Sequence, residues 1–590
     1  MQLSKSRKWL LAGVILVSSL ACASLLGIRY WFSAHTQLKG HIANSLVPVD
    51  LATPDLLIRS QKLSALPADL LKVPLLQKTL TEEFVFYYEE QESRLSLAGS
   101  LRRIAYEHQL DMSDQLIRQV LDNPAQLALW RGPNGKLEYW MLTLEQNLVS
   151  KAITLLAKVA LDDTQLSQLG ELSISGASEP VYLLNYGYQH QLVITSHGNR
   201  LVLLSDPGML LGYKHAKTES KKQEPPADSA SAETTEEQPE LLPEQLAVLS
   251  QLLDNNSEKN QLQSRSWQLP PLMKGHSLTV STNYLSFGYQ RFFPAIEALR
   301  FDFDGSTWAS HALLNNGDLK QAWNSEPLWS ALPTTAAACA SLPVDWQATK
   351  TLANKLLPTE PTLSTTMESL AGPMAICWYE KSRLSSPLFV ARFQDAEQAS
   401  RHRQVVGRLF SELIGAHEFV RGSRFPVEQQ DANGAHYWKR VVSARYGSQL
   451  ANDEPFKDQL SSARYFPVTL ANNGPWLFFS PDGSLVEQAI AVQQKKYPAL
   501  SDGMKVPAQV IATLTPATLS ALIEREMYAA LPGQDEPLFR DAARTYLAPR
   551  LKALSSYPPL TLSLQEVPGS GVLSLPQGRQ WQPLDVRFTQ

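Results

Sequence analysis

The fold prediction rests on PVTLANNGPWLFFSPDGSLV, residues 467–486, which resembles HQLVITSHGNRLVLLSDPGMLL, residues 190–211. Each stretch predicts two strands joined by a small polar turn. In both stretches the second strand ends in a short polar run, which is Ser-Pro-Asp-Gly in the later stretch and Ser-Asp-Pro-Gly in the earlier one. A match of this kind between distant parts of one chain indicates an internal repeat.

Four further pairs of segments match in the same order along the chain. They are residues 342–345 with 66–69, the predicted hairpin of residues 373–393 with that of 127–144, the amphipathic helix of residues 396–413 with that of 148–160, and the strands at 510–514, 560–565 and 571–575 with those after residue 277. The sequence therefore predicts an α+β fold made of two tandem copies of a mixed helix and antiparallel-sheet unit, residues 66–316 and 341–590. The alternative is two unrelated α+β domains with a similar alternation of elements.

The N-terminal region predicts a membrane anchor. WLLAGVILVSSLACASLLGI, residues 9–28, carries no charge and follows three cationic residues, Lys5, Arg7 and Lys8. At about 1.5 Å per residue, a helix of this length crosses a hydrocarbon core of about 30 Å. We therefore expect a cytoplasmic N-terminus at residues 1–8 and a transmembrane signal anchor at 9–32, held in the inner membrane as a single pass. A stalk at 33–65 and a body in the periplasm would follow.

Two other interpretations of this apolar run remain open. Ala21 and Ala23 form an A-x-A pair that would permit cleavage after Ala23, and Cys22 would permit lipidation. The anchor is favoured because the apolar run continues past these sites through Leu25 and Leu26. All three outcomes export the rest of the chain.

Composition narrows the class of partner. The chain has 590 residues and a net charge of -4, and no Lys/Arg-rich block follows its first residues, so nothing indicates a nucleic-acid partner. Residues 214–245 contain Lys, Glu, Ser, Thr, Ala and Pro without an aromatic residue. This composition predicts a disordered insertion, because the segment buries too little apolar surface to offset the entropy of ordering.

The cysteines agree with export. Beyond Cys22 the chain has only Cys339 and Cys377, an even pair in the region that we expect in an oxidising compartment. We predict a disulfide between them, with two buried free thiols as the alternative. A metal site or other cofactor is not indicated, because no histidine or third cysteine lies at ligand spacing.

Familiar catalytic motifs are absent from the sequence. It has no H-E-x-x-H, G-x-S-x-G, G-x-x-x-x-G-K-[ST] or G-x-G-x-x-G motif, so zincin, α/β-hydrolase, P-loop and dinucleotide-binding classes are not indicated. Phe301–Thr307, FDFDGST, resembles the first motif of haloacid dehalogenase phosphatases. The segment after it alternates like a strand, which favours a hairpin turn at Asp304-Gly305 instead.

Two sets of side chains are candidate sites. Glu83, Glu89, Arg102, Arg103 and His108 could line a polar cleft, although solvated helix faces and strand ends are the more ordinary explanation. A second set is aromatic, and for it core packing is favoured over a binding surface. Its members are Trp130, Tyr139, Trp140, Trp378 and Tyr379.

Three segments carry a resemblance to a known family. They are LPADLLKVPLLQKTLTEEFVFYYEE (66–90), GSLRRIAYEH (99–108) and NPAQLALWRGPNGKLEYW (123–140). With them the chain resembles the YfaA-like family of uncharacterised Gram-negative envelope proteins, a domain-of-unknown-function family. The resemblance implies an inner-membrane or periplasmic location and frequent encoding beside a bacterial alpha-2-macroglobulin-like protein. It supplies no functional residues to carry over.

These observations favour a membrane-anchored periplasmic protein with a non-catalytic binding or accessory role in that envelope system. Its expected partners are the inner membrane, through residues 9–32, and an envelope protein such as the alpha-2-macroglobulin-like protein. The alternative is an envelope hydrolase with an unrecognised polar active site. A small ligand bound in a cleft between the copies is a third hypothesis.

Overall fold

The structure is a computed structural model. It describes residues 49–73, 122–132, 135, 137–145, 166–174, 176–185, 191–212, 240–254, 267–286, 289–315, 323–416, 425–444, 464–503, 510–530, 541, 543–564 and 579–588.

The expectation of two tandem copies of a mixed helix and antiparallel-sheet unit is wrong. Twenty of the 22 strands in the described ranges belong to one sheet, and the remaining two, β8 (Leu211–Gly212) and β9 (Glu240–Leu241), pair with each other. The physical reason is that strands expose unpaired backbone groups at a sheet edge, which a further strand satisfies. Sequence periodicity reports which residues form strands, but it does not report where a sheet ends.

Contacts divide the chain into two compact units. The first comprises residues 1–72, 82–281 and 302–307, and the second comprises residues 73–81, 282–301 and 308–590. Strand β11 (Ile296–Phe303) contributes residues to both.

In the first unit the strands pair antiparallel in the order β10, β1, β2, β3, β7, β6, β5, β4. Their bounds are β1 Leu56–Ser60, β2 Ala125–Arg131, β3 Leu137–Glu145, β4 Leu166–Ile174, β5 Ala177–Asn185, β6 Gln191–His197, β7 Arg200–Leu204 and β10 His276–Ser281. Strand β1 comes from the segment that was expected to form a stalk. All five of its residues are buried, and it has a paired strand on each side.

In the second unit the order is β12, β22, β21, β20, β13, β14, β15, β19, β18, β17, β16, again antiparallel. Their bounds are β12 Trp308–Asn315, β13 Ala336–Leu342, β14 Met374–Tyr379, β15 Leu388–Arg392, β16 Glu428–Ala432, β17 Ala435–Ala444, β18 Arg464–Asn473, β19 Trp476–Ser480, β20 Val510–Leu514, β21 Leu560–Leu564 and β22 Arg579–Phe588. Eight neighbouring strands of this unit, from β20 across the sheet to β16, have the same relative order along the chain as the eight strands of the first unit from β10 to β4, and β20 and β10 each come last of their eight along the chain.

Twelve α-helices lie within the described ranges. The first unit holds α1 Leu66–Leu70 and α2 Pro243–Leu253. The second unit holds α3 Thr282–Leu285, α4 Glu326–Ala331, α5 Trp346–Leu356, α6 Leu363–Glu368, α7 Ala396–Arg401, α8 Arg403–Ala416, α9 Gly483–Gln493, α10 Leu500–Gly503, α11 Pro516–Ala530 and α12 Ala548–Leu554.

Short-range signals placed the hairpins correctly. Strands β2 and β3 flank the Gly132–Gly135 turn, where Gly135 has a positive φ of 78°. The two similar stretches form the β6–β7 and β18–β19 hairpins. An aspartate follows each hairpin and accepts a backbone hydrogen bond, Asp206 from Gly208 and Asp482 from Ser484 at the start of α9. In both stretches, a hydrogen bond from a backbone N–H to an aspartate side chain thus forms just after the second strand ends.

The sheet of the second unit is covered on both faces. One face packs a core cluster that includes Trp329 of α4, Ile490 of α9 and Phe478 of β19. The other face packs a cluster that includes Phe410 of α8 and Trp438 of β17. Successive strand residues point to opposite faces, so a strand buried on both sides is apolar at nearly every position. This explains the continuous apolar run in residues 476–479.

The predicted transmembrane span at residues 9–32 lies outside the described residues. Within the parts of the chain that the structure describes, no helix has the length and apolar character to cross a bilayer. Residues 214–239 of the predicted insertion also lie outside these parts, and the chain is described again from Glu240, where β9 and then α2 follow.

Candidate functional site

The predicted polar patch lies outside the described residues. Glu83, Glu89, Arg102, Arg103 and His108 all fall between residues 74 and 121, where the structure gives no placement. The hypothesis of a polar cleft there therefore stays a prediction.

The predicted disulfide is confirmed. Cys339 of β13 and Cys377 of β14 are directly opposed in the antiparallel register, and their sulfur atoms are bonded. Both residues are buried in the cluster that contains Trp329 and Val390. The bridge therefore joins two neighbouring strands inside the core of the second unit, where it is shielded from solvent.

The aromatic set contributes to the interior. Trp130, Tyr139 and Trp140 belong to the first unit, and Trp378 and Tyr379 belong to the second. Trp130 and Tyr379 are buried, and the indole N–H and the phenol O–H donate to backbone carbonyls at 2.8 Å and 3.2 Å. Burial with a satisfied polar group is typical of aromatic residues in a core, so these two side chains pack as the favoured interpretation expects. Tyr139, Trp140 and Trp378 are only partly buried.

The polar cluster with the most catalytic character lies at one end of β1 in the first unit. Strands β1 and β10 are antiparallel neighbours, so the last residue of β1, Ser60, is paired with the first residue of β10, His276. The short helix α1 brings Asp69 to the opposite side of the imidazole ring. We call these three residues the Ser60–His276–Asp69 cluster.

A chain of hydrogen bonds runs through this cluster. The Ser60 hydroxyl lies 2.9 Å from Nδ1 of His276, and Nε2 of His276 lies 3.2 Å from Oδ2 of Asp69. An ionised carboxylate only accepts hydrogen bonds, so Nε2 of a neutral imidazole carries the proton and Nδ1 accepts from the serine hydroxyl. The backbone N–H of Lys62 donates to the same hydroxyl at 3.1 Å. Both hydrogen-bonding roles of Ser60 are thereby used.

The turn between β11 and β12 closes over the cluster. Asp304 accepts from the backbone N–H groups of Ser306 and Thr307, at 3.1 Å and 2.8 Å, and Gly305 has a positive φ of 79°. A side chain at Gly305 would overlap the carboxylate of Asp69. The phosphatase-like FDFDGST segment is therefore a hairpin turn, as its residue pattern favoured, and the glycine permits the close approach of α1.

The surroundings of His276 favour the neutral form of its imidazole. Burial lowers the pKa of His276, and the hydrogen bond and charge of Asp69 oppose this effect only in part. The ammonium group of Lys274 lies 2.6 Å from the Asp304 carboxylate. This hydrogen bond, with those from Ser306 and Thr307, lowers the pKa of Asp304. The charged groups thus lie on the rim, and the imidazole lies inside.

The residue types match those of serine hydrolases, but the geometry does not support hydrolysis. In such a triad the serine is accessible to the substrate carbonyl. Here Ser60 is 2% exposed and His276 is 1% exposed, and only Asp69, at 17% for its side chain, reaches solvent. The buried hydrogen bonds of the cluster therefore join α1 to the end of β1, and the β11–β12 turn packs against α1 at Gly305.

Sequence reasoning missed this cluster. Ser60 and His276 are 216 residues apart, and Asp69 and His276 are 207 apart. The β1–β10 register brings them together, and no local spacing reports that register. In the described part of the chain, no three His, Cys, Asp or Glu side chains are grouped to hold a metal ion.

We expect the stability of the first unit to fall between about pH 7 and pH 5 because of His276. Its pKa in the folded state lies below the ordinary value of 6.5, so the unfolded chain takes up the proton first. The stabilisation is complete above pH 6.5 and is lost as the pH falls below it, by at most about 1.4 kcal/mol per pH unit. Urea denaturation of wild type and His276→Gln across this range measures the effect.

The matched control is His402→Gln in the second unit. His402 is also buried, and burial followed by the charge of Arg401 lowers its pKa. The His276→Gln variant should flatten the pH dependence of the first unit alone, and the His402→Gln variant that of the second. An unchanged slope for the first unit in His276→Gln would contradict the assignment.

Comparisons with known proteins bear on the chain as a whole. A family described as "Uncharacterized protein conserved in bacteria (DUF2138)" matches residues 8–586. The chain is 32% identical over 593 residues to "Uncharacterized protein YfaA" of Escherichia coli (strain K12), covering 98% of this chain and 99% of that protein. No solved structure matches. The family resemblance recognised in residues 66–140 thus extends over nearly the entire chain.

Proposed function

The chain belongs to the DUF2138 family of bacterial proteins, and we propose that it is a membrane-anchored periplasmic protein with a non-catalytic binding or accessory role in the cell envelope. The observation that carries this proposal is the disulfide between Cys339 and Cys377. Disulfides form and persist in oxidising compartments such as the bacterial periplasm and are rare in the cytosol. A bridge buried between two core strands is a structural one, which supports export of the body.

The N-terminal sequence supports the anchor. Residues 9–28 are uncharged and follow Lys5, Arg7 and Lys8, the pattern of a signal anchor whose N-terminus stays in the cytoplasm. Anchoring would keep the sheet close to the inner membrane.

A binding role is supported over hydrolysis by the state of the Ser60–His276–Asp69 cluster. A serine nucleophile needs an open approach for the substrate carbonyl. Ser60 is 2% exposed and His276 is 1% exposed, so neither side chain offers that approach. We therefore propose interaction with an envelope protein, and the family resemblance favours an alpha-2-macroglobulin-like protein as that partner.

We expect alkaline phosphatase fused after Gln590 to be active in Gram-negative cells, because this enzyme gains its own disulfides only after export. A matched fusion that lacks residues 1–32 should be inactive, since it has no export signal. Phosphatase activity per unit of fusion protein is the measurement. An inactive full-length fusion, with protein present at normal levels, would overturn the proposal.

The same cells provide a check on the bridge. In a Cys22→Ser variant only Cys339 and Cys377 remain, so maleimide labelling after acid quench and denaturation should modify neither thiol until reductant is added. The variant without residues 1–32 should be labelled at both. Labelling of the full-length protein without reductant would argue against an oxidising location.

A further inference from the structure

Strand β16, Glu428–Ala432, forms an outer edge of the sheet in the second unit. It pairs with β17 and with no other strand in the described residues. Its first four residues are exposed and Ala432 is partly exposed. An exposed edge of this kind presents unpaired backbone N–H and C=O groups, which are a template for a further strand.

The hairpin geometry identifies the backbone groups that point outward. Asn433 and Gly434, with φ values of 52° and 69°, form a two-residue turn, so the flanking residues Ala432 and Ala435 exchange hydrogen bonds. Hydrogen-bonded and non-hydrogen-bonded pairs alternate along an antiparallel ladder. Gln429 and Asp431 therefore direct their N–H and C=O groups away from β17.

The corresponding outer strand of the first unit is protected. Helix α2 packs against β4, and the hydroxyl of Ser250 donates to the backbone carbonyl of Ser173 at 3.2 Å. Strand β16 has no proline or lysine, and its register with β17 shows no bulge. Of the devices that usually block strand addition, β16 therefore has only a short length and two carboxylates, Glu428 and Asp431.

The charge of the edge selects the kind of strand that it would accept. Glu428 and Asp431 are carboxylates on the strand itself. Lys439, opposite Glu428 in the ladder, lies 3.7 Å from a third carboxylate, Glu487, and Nδ1 of His436 lies 2.7 Å from Asp431. These contacts leave the edge with an excess of negative charge.

A second copy of the chain is disfavoured as the occupant. Antiparallel self-pairing centred on Gln430 would place Glu428 opposite Ala432 and Asp431 opposite Gln429. Four carboxylates would then share one two-stranded ladder without a basic residue in either strand, so self-pairing would add negative charge and no compensating cation. A strand that carries lysine or arginine would instead place cations beside Glu428 and Asp431.

One exposed apolar side chain adds to this surface. Glu428 is opposite Lys439, so Val441, two residues further along β17, lies on the same face of the sheet. Its side chain is 39% exposed. Val441 is therefore an exposed apolar side chain next to the start of β16.

We propose that the β16 edge binds an extended, basic segment of an envelope protein by strand addition. This inference rests on the proposed binding function and names the surface and the chemistry of the partner. Backbone hydrogen bonds would supply most of the affinity, and the alternate side chains would supply the specificity.

The test uses the full-length protein in detergent and a fluorescent eight-residue peptide of alternating lysine with valine or threonine. We expect saturable binding by fluorescence anisotropy, and binding at least about tenfold weaker to a peptide with glutamate in place of lysine. Gln429→Pro removes an outward N–H and should weaken binding by at least about tenfold. Gln429→Ala keeps that N–H and should bind within about twofold of wild type.

A charge-reversed variant covers the case in which Gln429→Pro alters the hairpin. Glu428→Lys with Asp431→Lys keeps every backbone donor and should reverse the preference between the two peptides. Absence of binding to wild type, equal binding of both peptides, or unchanged binding by the charge-reversed variant would overturn the edge assignment. An inactive phosphatase fusion would instead overturn the proposed function, so the two failures are distinguishable.

Discussion

Replacing Trp329 with alanine is expected to lower the free energy of unfolding of the second unit by about 3 to 5 kcal/mol. Trp329 lies on α4, is 0% exposed and belongs to the core cluster that contains the disulfide. Truncation removes the transfer free energy of the indole and leaves a cavity that the surrounding strands fill only in part. Native-state hydrogen exchange of the β20 amides measures the loss locally, which suits a chain of two units.

Trp329→Phe separates packing from hydrogen bonding at the same position. The indole N–H donates to the carbonyl of Val510 at 3.2 Å in the buried interior. Phenylalanine keeps most of the apolar surface but leaves that carbonyl without the indole donor, so we expect a loss of about 1 to 3 kcal/mol. An alanine variant as stable as the phenylalanine variant would show that Trp329 does not support this core as proposed.

Removing the Cys339–Cys377 bridge is expected to cost about 3 to 4 kcal/mol, the chain-entropy value for a loop that links residues 38 apart. The change is the double variant Cys339→Ala with Cys377→Ala, compared with the oxidised wild type. Alanine fits the apolar surroundings of both positions without adding a polar group. Urea denaturation, followed by hydrogen exchange in β13 and β14, measures the difference.

The matched control compares the double variant with wild type under reducing conditions. Both proteins then lack the bridge, so their stabilities should agree within about 1 kcal/mol, the remaining difference being the packing of two sulfur atoms. A large difference that persists in reductant would mean that thiol packing, and not the bridge, stabilises these strands.

The tight turns between strands were predictable from the sequence. The Gly132–Gly135, Gly198-Asn199 and Asp304-Gly305 turns contain the residue types that tight turns require, and all three connect adjacent strands in the structure. These features depend on a few neighbouring residues, whose backbone preferences act at short range.

The disulfide was predictable from the sequence only in part. With only Cys339 and Cys377 in the region expected to be exported, the pairing was predictable by count. Its place was not, because the direct opposition of the two residues depends on the β13–β14 register. The structure therefore adds that the bridge joins neighbouring core strands.

The sheet itself and the Ser60–His276–Asp69 cluster lay beyond sequence reasoning. The two-copy expectation treated segments with similar patterns as separate units, whereas their strands join one sheet of 20. The cluster needs β1 to pair with β10 across more than 200 residues of chain. Neither pairing leaves a signal in composition or periodicity, since many registers satisfy the same apolar pattern.

The sequence by itself determined the family, the hairpin turns, the pair of cysteines and the absence of familiar catalytic motifs. Only the tertiary structure decided which strands are neighbours, that Ser60 is buried and hydrogen-bonded to His276, and that β16 is an outer edge. The physical reason is that turn chemistry is set by backbone preferences within a few residues. Strand pairing is set by hydrogen bonds and packing between segments that are far apart in the chain.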